Sequence, residues 1–290
     1  MNEGDAFAHL FNKSDLSKIT EAVFWKKYSI ADGTFHNLGG LLGGGVVDND
    51  GPAGVSKSLI DNYLNRDGTF INPNDGKYKN FNSMFEGRDL RLIQSVMHTG
   101  AKFRSTLKGA KPMNVRVYDN TGTDEEIKEK NKDISSNLNG DGNGKNVTGF
   151  HIRLGIDTTF VEGNSETAII LFRYSEALLS YAEAAEELEL CNDDVLNKTL
   201  KPLRERAGVT YICPSAIDPN FTDFGYELTP VMQEIRRERR AELAFQGFRQ
   251  DDLMRWAAHK LIQGKRGLGA YLGTDGVLYQ SFSPTAQESL

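Results

Sequence analysis

The stretch Thr229-Pro-Val-Met-Gln-Glu-Ile-Arg-Arg-Glu-Arg-Arg-Ala-Glu-Leu-Ala-Phe-Gln-Gly-Phe-Arg249 decides how this sequence is read. Thr229 before Pro230 is a helix-start signal: a hydroxyl able to cap, then a ring whose missing N–H costs nothing at the first helical position. The spacing predicts a helix to about Phe245, ended by Gly247. One face of that helix runs from Val231 and Ile235 through Glu238 and Glu242 to Phe245, so carboxylates point toward packing neighbours. A buried carboxylate persists only when paired, and Arg204, Arg206, Arg239, Arg249 and Arg255 offer planar guanidinium partners. These residues read as a structural ion-pair network that docks helices, in preference to a catalytic or anion-binding cluster.

Working outward, residues 251–260 predict a further helix with Leu253, Trp256, Ala257 and Leu261 on its buried side. Upstream, Leu171, Tyr174, Leu178, Tyr181, Ala185 and Leu188 recur at spacings of three and four, which predicts one continuous buried face, with the small Ala177 and Ala184 beside it. Leu196, Leu200, Leu203 and Ala207 predict its partner helix, kinked at Pro202 and ended by Gly208. Two helical hairpins follow. The expected fold class is mainly α, with tetratricopeptide-like helical hairpins over residues 164–264. Such hairpins normally need about three or more repeats to bury their faces, so a larger array is expected.

Residues 1–163 form a loop-rich region containing short strands, marked by Asp-Gly at Asp32, Asp50, Asp67, Asp75 and Asp141. Within it Glu21-Ala-Val-Phe-Trp-Lys-Lys-Tyr28 predicts an extended segment, residues 57–63 a short helix, and the polar run 119–146 an exposed excursion. Residues 265–290 are read as a tail.

Composition narrows the function classes. The 290 residues are 39% hydrophobic and 26% charged, as in soluble globular chains. The 34 Lys plus Arg against 40 Asp plus Glu leave a net charge of -6, the wrong sign for nucleic acid. No apolar run reaches the roughly 20 residues that span a bilayer, and no secretion signal follows Met1. Cys191 and Cys213 lack metal spacing, as do the histidines at 9, 36, 98, 151 and 259, so no metal site is expected. Three partial motifs fail their chemistry. The glycine run 39–45 lacks the Gly-Lys-Ser/Thr ending of a phosphate loop. Asn137, Asn139 and Asp141 lack the closing glutamate of a calcium loop, since Thr148 stands there. Ser105-Thr-Leu-Lys108 lacks the companion motifs of penicillin-recognising enzymes.

The ordered set Phe172-Arg-Tyr-Ser-Glu-Ala-Leu-Leu-Ser-Tyr-Ala-Glu-Ala184, Leu203-Arg-Glu-Arg-Ala-Gly208, Glu238-Arg-Arg-Ala-Glu-Leu-Ala-Phe-Gln-Gly-Phe-Arg249 and Asp252-Leu-Met-Arg-Trp256 resembles the SusD/RagB family. Glu21-Ala-Val-Phe24, Gly87-Arg-Asp-Leu-Arg-Leu92 and Gly149-Phe-His-Ile-Arg153 are similar to that family's weaker landmarks. Lys201 stands where an asparagine is common, Gln246 where a glutamate is common, and Leu90 where a proline is common. The resemblance implies a lipid-anchored protein at the extracellular face of the outer membrane. It would bind an oligosaccharide, polysaccharide or other nutrient without catalysis or cofactor, and partner a SusC-like TonB-dependent transporter. The anchor cysteine, the first repeats and the closing segment are expected to lie outside this chain.

Glycan capture needs flat apolar rings beside polar side chains. The candidates in the loop-rich region are Trp25, Phe35 with His36 and Asn37, Tyr78 with Asn80, and Phe81 with Asn82. Two other readings stand beside this one: a helical-repeat adaptor for a protein partner, and a glycoside hydrolase resting on plentiful carboxylates.

Overall fold

Carboxylates buried on one helix organise this chain. The computed structural model describes residues 7–38, 54–81, 83–98, 102–104, 112–114, 123–131, 148–155, 164–221 and 224–270. The glycine run 39–45, Asn82, the 105–108 and 137–141 motifs and residues 271–290 lie outside them. The elements are β1 (Ala22–Lys26), α1 (Lys57–Ile60), α2 (Leu90–Ser95), β2 (Lys102–Arg104), β3 (Pro112–Asn114), α3 (Asp124–Asn131), β4 (Ile169–Arg173), α4 (Tyr174–Glu187), α5 (Asp193–Lys198), α6 (Leu200–Arg206), α7 (Pro230–Glu242) and α8 (Arg249–Arg255). The fold is mainly α, with two small antiparallel sheets pairing β1 with β4 and β2 with β3.

Helix α7 starts where its residues predict. The Thr229 hydroxyl accepts from the Met232 N–H at 3.0 Å, which satisfies one of the donors that every helix start exposes. It stops at Glu242, short of Phe245, and Phe245 (φ 64°) and Gly247 (φ 89°) turn the chain in left-handed conformations. α8 ends at Arg255 rather than near Lys260, and Trp256 and Ala258 are buried while Ala257 is exposed. The expected kink at Pro202 is absent. The chain breaks instead at Thr199, whose hydroxyl donates to the Val195 carbonyl at 2.7 Å, and Pro202 falls in the first turn of α6, where an N–H has no helical partner. Gly208 follows α6 at φ 69°, as a left-handed cap requires.

The upstream helix corrects the periodicity reading. It begins at Tyr174 because residues 169–173 are strand β4, so Leu171 is not helical. Its expected stripe is split: Tyr174 is 58% and Tyr181 54% exposed and Leu188 is exposed, whereas Ala185 is buried and Leu178 packs against the helical core. Ser175, Leu179, Ala182 and Glu183 are buried with Ala185, and α4 packs on α5, α6 and α7. A glutamate can hold that side because both Glu183 oxygens accept from Arg255 at 2.6 Å, and Oε1 also takes the Trp256 indole N–H.

Two main apolar cores result. One gathers the loop-rich region around Ile60, Tyr63, Leu92, Val96 and Phe150, and the other joins the helices around Leu179, Leu200, Leu203 and Ile235. α7 serves both, giving Ala241 to the first and Ile235 to the second. Its carboxylates lie along the seam. Glu242 accepts from Arg91 of α2 at 2.7 Å, Arg173 of β4 at 2.5 Å and Arg206 of α6. Glu238 accepts from Arg91 at 2.5 Å and Arg204 at 3.1 Å, and Glu234 from Arg204 at 2.6 Å and Arg237 at 2.8 Å. Arg239 holds Asp252 at 2.8 Å. Arg249 is the exception among the expected members: among the described residues it has no carboxylate at ion-pair distance. Cys191 and Cys213 are free thiols, and no described helix is long and apolar enough to cross a membrane.

The Glu242→Ala variant would leave three guanidinium groups without a shared partner. It should lose about 3–5 kcal/mol of unfolding free energy in a denaturant titration. Burial works to raise the Glu242 carboxyl, but Arg173, Arg206 and Arg91 hold it well below its usual range; Glu234 is lowered in the same way by Arg237 and Arg204. Their stabilisation is complete above the unfolded carboxylate value, about pH 4.3, and is lost as the pH falls below it. Asp89, raised by burial, contributes with the opposite sign. An acid titration should therefore show a shallower stability loss below pH 4 for Glu242→Gln than for the parent. Gly208→Ala meets both a left-handed backbone and Leu90 Cδ1 at 2.8 Å, and should cost about 1–3 kcal/mol by the same denaturant measurement.

Candidate functional site

Strand β1 runs antiparallel to β4 with Ala22 opposite Arg173, Phe24 opposite Phe172, Trp25 opposite Ile170 and Lys26 opposite Ile169. Arg173 fixes this ladder from the interior. Its Nη1 donates to Glu21 at 2.6 Å and to Glu242 at 2.5 Å, so the sheet is tied to α7 where the strand meets α4. Register shifts on both sides of Phe24 break the strand alternation. Val23 and Phe24 consequently both face outward, Phe24 at 62% exposure, with Leu171 and Phe172 exposed on the partner strand.

After β1 the chain turns tightly, with Ser29 bridged to Thr34 and Gly33 at φ 70°. It then pairs His36 with Ser165. His36 is held as one tautomer: Nε2 donates to the Thr167 carbonyl at 2.7 Å, leaving Nδ1 to accept from the Leu38 N–H at 3.1 Å. Its ring meets Tyr28 edge-on at 4.6 Å. Phe35 is 49% exposed, Asn37 is exposed and Trp25 is half-buried. A cavity of about 180 Å³ lies beside them, lined by Phe11, His36, Leu38, Ile170, Phe245 and Gln246. Ile170 is the ladder partner of Trp25, so the strand and the turn meet at this cavity.

The structure places Trp25 on β1 and Phe35, His36 and Asn37 at the end of the turn that follows it, with His36 and Ile170, the ladder partner of Trp25, lining one cavity. Tyr78, Asn80 and Phe81 do not line that cavity, and Asn82 lies outside the described residues. Phe81 is 3% exposed, stacked on Phe150 at 5.7 Å and edge-on to Phe85 at 5.6 Å. Tyr78 is buried, its hydroxyl donating to Asn65 Oδ1 at 3.0 Å beneath the Arg88 guanidinium. These two rings build the core of the loop-rich region and offer no open face to a sugar. Asn80 is half-buried and its side-chain oxygen accepts from Ser83.

Sequence reasoning missed the exposure of Val23 and Phe24 on β1, of Leu171 and Phe172 on β4, and of Tyr174 at the start of α4. The signal was present in Ile169-Ile-Leu-Phe172, a continuous apolar run suited to a strand, but Leu171 also fitted a helical spacing. The β1–β4 ladder thus carries exposed aromatic and aliphatic side chains, and the Lys26 ammonium at the end of β1 lies 5.0 Å from the Tyr28 ring centre. Rings of this kind stack on sugar faces, with adjacent polar groups taking hydroxyls. Among the described residues no group of His, Cys, Asp or Glu has the arrangement to hold a metal ion.

The sequence model of the SusD family (SusD/RagB) matches residues 43–287. A SusD-like carbohydrate-binding protein from Bacteroides fragilis NCTC 9343 superposes with a TM-score of 0.62 at 23% identity, covering 93% of this chain and 48% of its own. A second SusD-like protein from the same organism gives 0.54 at 22% identity, covering 82% and 44%. At such identities the likeness is one of fold, and this chain spans about half the length of either structure. Among curated proteins none matches. The family match covers most of the chain and includes the buried Arg and Glu motifs of α6 and α7, and the chain belongs to the SusD family.

Proposed function

We propose that this protein captures a glycan or related nutrient at the extracellular face of the outer membrane without cleaving it. It passes the ligand to a SusC-like TonB-dependent transporter, held there by a lipid anchor in the full-length protein. The observation that carries the reading is the set of exposed aromatic and aliphatic side chains on β1, β4 and the turn after β1, Phe24, Phe35 and Phe172 among them, within a SusD family chain. A structural relative is itself a SusD-like carbohydrate-binding protein, which supports a saccharide as the ligand. Residues 1–163 are the ligand-contacting region in this proposal, residues 164–264 form tetratricopeptide-like hairpins that frame it, and 265–290 are a tail. Trp25 and Phe35 stack on sugar rings and Asn37 takes a hydroxyl, while His36, whose two ring nitrogens are both engaged within the chain, holds the turn in place.

The hydrolase alternative is weakened by the state of the buried carboxylates. Glu234, Glu238 and Glu242 each hold at least two arginines, so none of them is free to act as general acid or base. The adaptor alternative has one observation in its favour, the exposed apolar residues Tyr174 and Tyr181 of α4 and Leu188 just after it, which suit a protein partner.

A glycan array followed by calorimetry should find saturable oligosaccharide binding. Chromatography of the incubated sugar should show it intact, and released shorter sugars would refute the non-catalytic reading. Trp25→Ala and Phe35→Ala should each weaken binding about tenfold, the loss of about 1.4 kcal/mol of stacking. Phe35→Ala should change stability by under about 0.5 kcal/mol, whereas Phe81→Ala should cost about 3–5 kcal/mol through its cavity. Unchanged affinity in both surface variants would remove this face from the proposal.

A further inference from the structure

A cavity of about 510 Å³ opens between α1, α7, α8 and residues 261–268, within the size range of small-ligand sites. Its charge is lopsided. Six cationic residues line it, Lys57, Arg237, Arg240, Arg249, Lys265 and Arg266, against two carboxylates, Asp61 and Asp218. Both carboxylates are already engaged. Lys57 holds Asp61 at 2.5 Å, and Arg237 holds Asp218 at 2.7 Å while also binding Glu234 at 2.8 Å. Among the described residues Arg240, Arg249, Lys265 and Arg266 have no carboxylate within ion-pair distance; Lys265 and Arg266 are exposed, whereas Arg240 and Arg249 are half-buried.

Arg240 and Arg249 are the centre of this excess. Both are half-buried, and with Ser56 they also line a second cavity of about 370 Å³ that adjoins the first through them. Arg240 Nη2 donates to Ser58 Oγ at 2.8 Å, a neutral partner that leaves its charge unanswered. Burial and the nearby Arg249 push the Arg240 guanidinium down to about 9, and burial lowers Arg249 as well. The contrast with Arg91, Arg204 and Arg206 is direct, since carboxylates raise those three despite their burial. Two like charges in a recess are stabilised by an anion entering it, and a guanidinium fork matches a carboxylate or sulfate edge.

The rest of the wall suits a sugar carrying that anion. Asn62 lines the cavity, is 2% exposed, and its Oδ1 has no hydrogen-bond partner among the described residues although its Nδ2 donates to the Arg237 carbonyl at 3.1 Å. An unmatched buried acceptor is costly unless a donor such as a hydroxyl reaches it. Ile71, Phe221 and Leu253 add an apolar surface for the ring. We propose that this cavity binds an oxyanion carried on a sugar, the carboxylate of a uronic acid or a sulfate ester, on Arg240 and Arg249, with Asn62 accepting a sugar hydroxyl. This deepens the glycan-capture reading and rests on it for the sugar, though not for the anion.

Calorimetry on the whole chain tests it, with tetragalacturonic acid, a chondroitin sulfate tetrasaccharide, neutral cellotetraose and maltotetraose, and sodium sulfate as titrants. Circular dichroism checks that each variant is folded. At least one acidic oligosaccharide should bind about tenfold or more tightly than the neutral ones, and weaken as salt rises. Which acidic titrant wins distinguishes carboxylate from sulfate. The double variant Arg240→Gln/Arg249→Gln should lose that preference, and Arg249→Gln alone should reduce it. Equal affinity for acidic and neutral sugars, or an acidic preference that survives the double variant, overturns the cavity assignment while leaving glycan capture standing. Sulfate binding that both arginine variants abolish, with no oligosaccharide bound, upholds the anion site and overturns the glycan reading. Binding of none of the titrants overturns this proposal.

Discussion

The carboxylate of Glu242 is the interaction on which the rest of the structure depends. It is fully buried, and its guanidinium partners come from α2, β4 and α6, elements far apart along the chain. Each of those arginines is placed by a second contact: Arg91 by Asp89 at 2.6 Å, Arg173 by Glu21 at 2.6 Å, and Arg206 by the same Glu21. Removing one charge from such a set strands the others in the interior, which is why the arrangement specifies one docking of the helices even where its net energy is modest. Arg88 shows the neutral version of the same solution, its guanidinium donating to the carbonyls of Ile60, Tyr63, Met84 and Leu64.

The candidate binding face follows from that seam. Arg173 ends β4 inside the protein, so the strand is fixed at one end and its outer residues present Leu171 and Phe172 to solvent. β1 is held by the ladder and by Glu21, and the irregular register around Phe24 leaves both Val23 and Phe24 exposed. A rigid polar anchor beneath an apolar face is a sound way to keep rings open, because the ion pairs satisfy the interior without calling the aromatics inward.

The opposite edge of α7 behaves differently. Arg237 faces Asp218 and Glu234, whereas Arg240, less than one turn on, faces Ser58 and Arg249. One helix thus carries a closed ionic frame on one side and an open positive recess on the other. The sheet and the ion pairs both join the loop-rich residues to the helical ones, so face and recess belong to a single packed body.

Much of this was legible in the residues themselves. Thr229-Pro230 announced α7, Gly208 announced a left-handed stop, and Glu238 and Glu242 on an otherwise apolar face announced buried charges needing arginines. These are local rules of capping, backbone freedom and desolvation, which a sequence carries in full. The direction in which α4 faces was only partly legible, because Leu178 and Ala185 of the expected stripe pack inward while Tyr174 and Tyr181 do not, and Leu179 and Ala182 form a second stripe that is buried. Periodicity marks both stripes, and only the neighbours, with Arg255 and Trp256 waiting for Glu183, chose between them. The same holds for Tyr78 and Phe81, drawn into a core built with Phe150, and for Arg249, which has no carboxylate at ion-pair distance among the described residues. Residue type determined which groups had to be paired or covered, and tertiary structure decided by what, since the partners are supplied by elements distant in the chain.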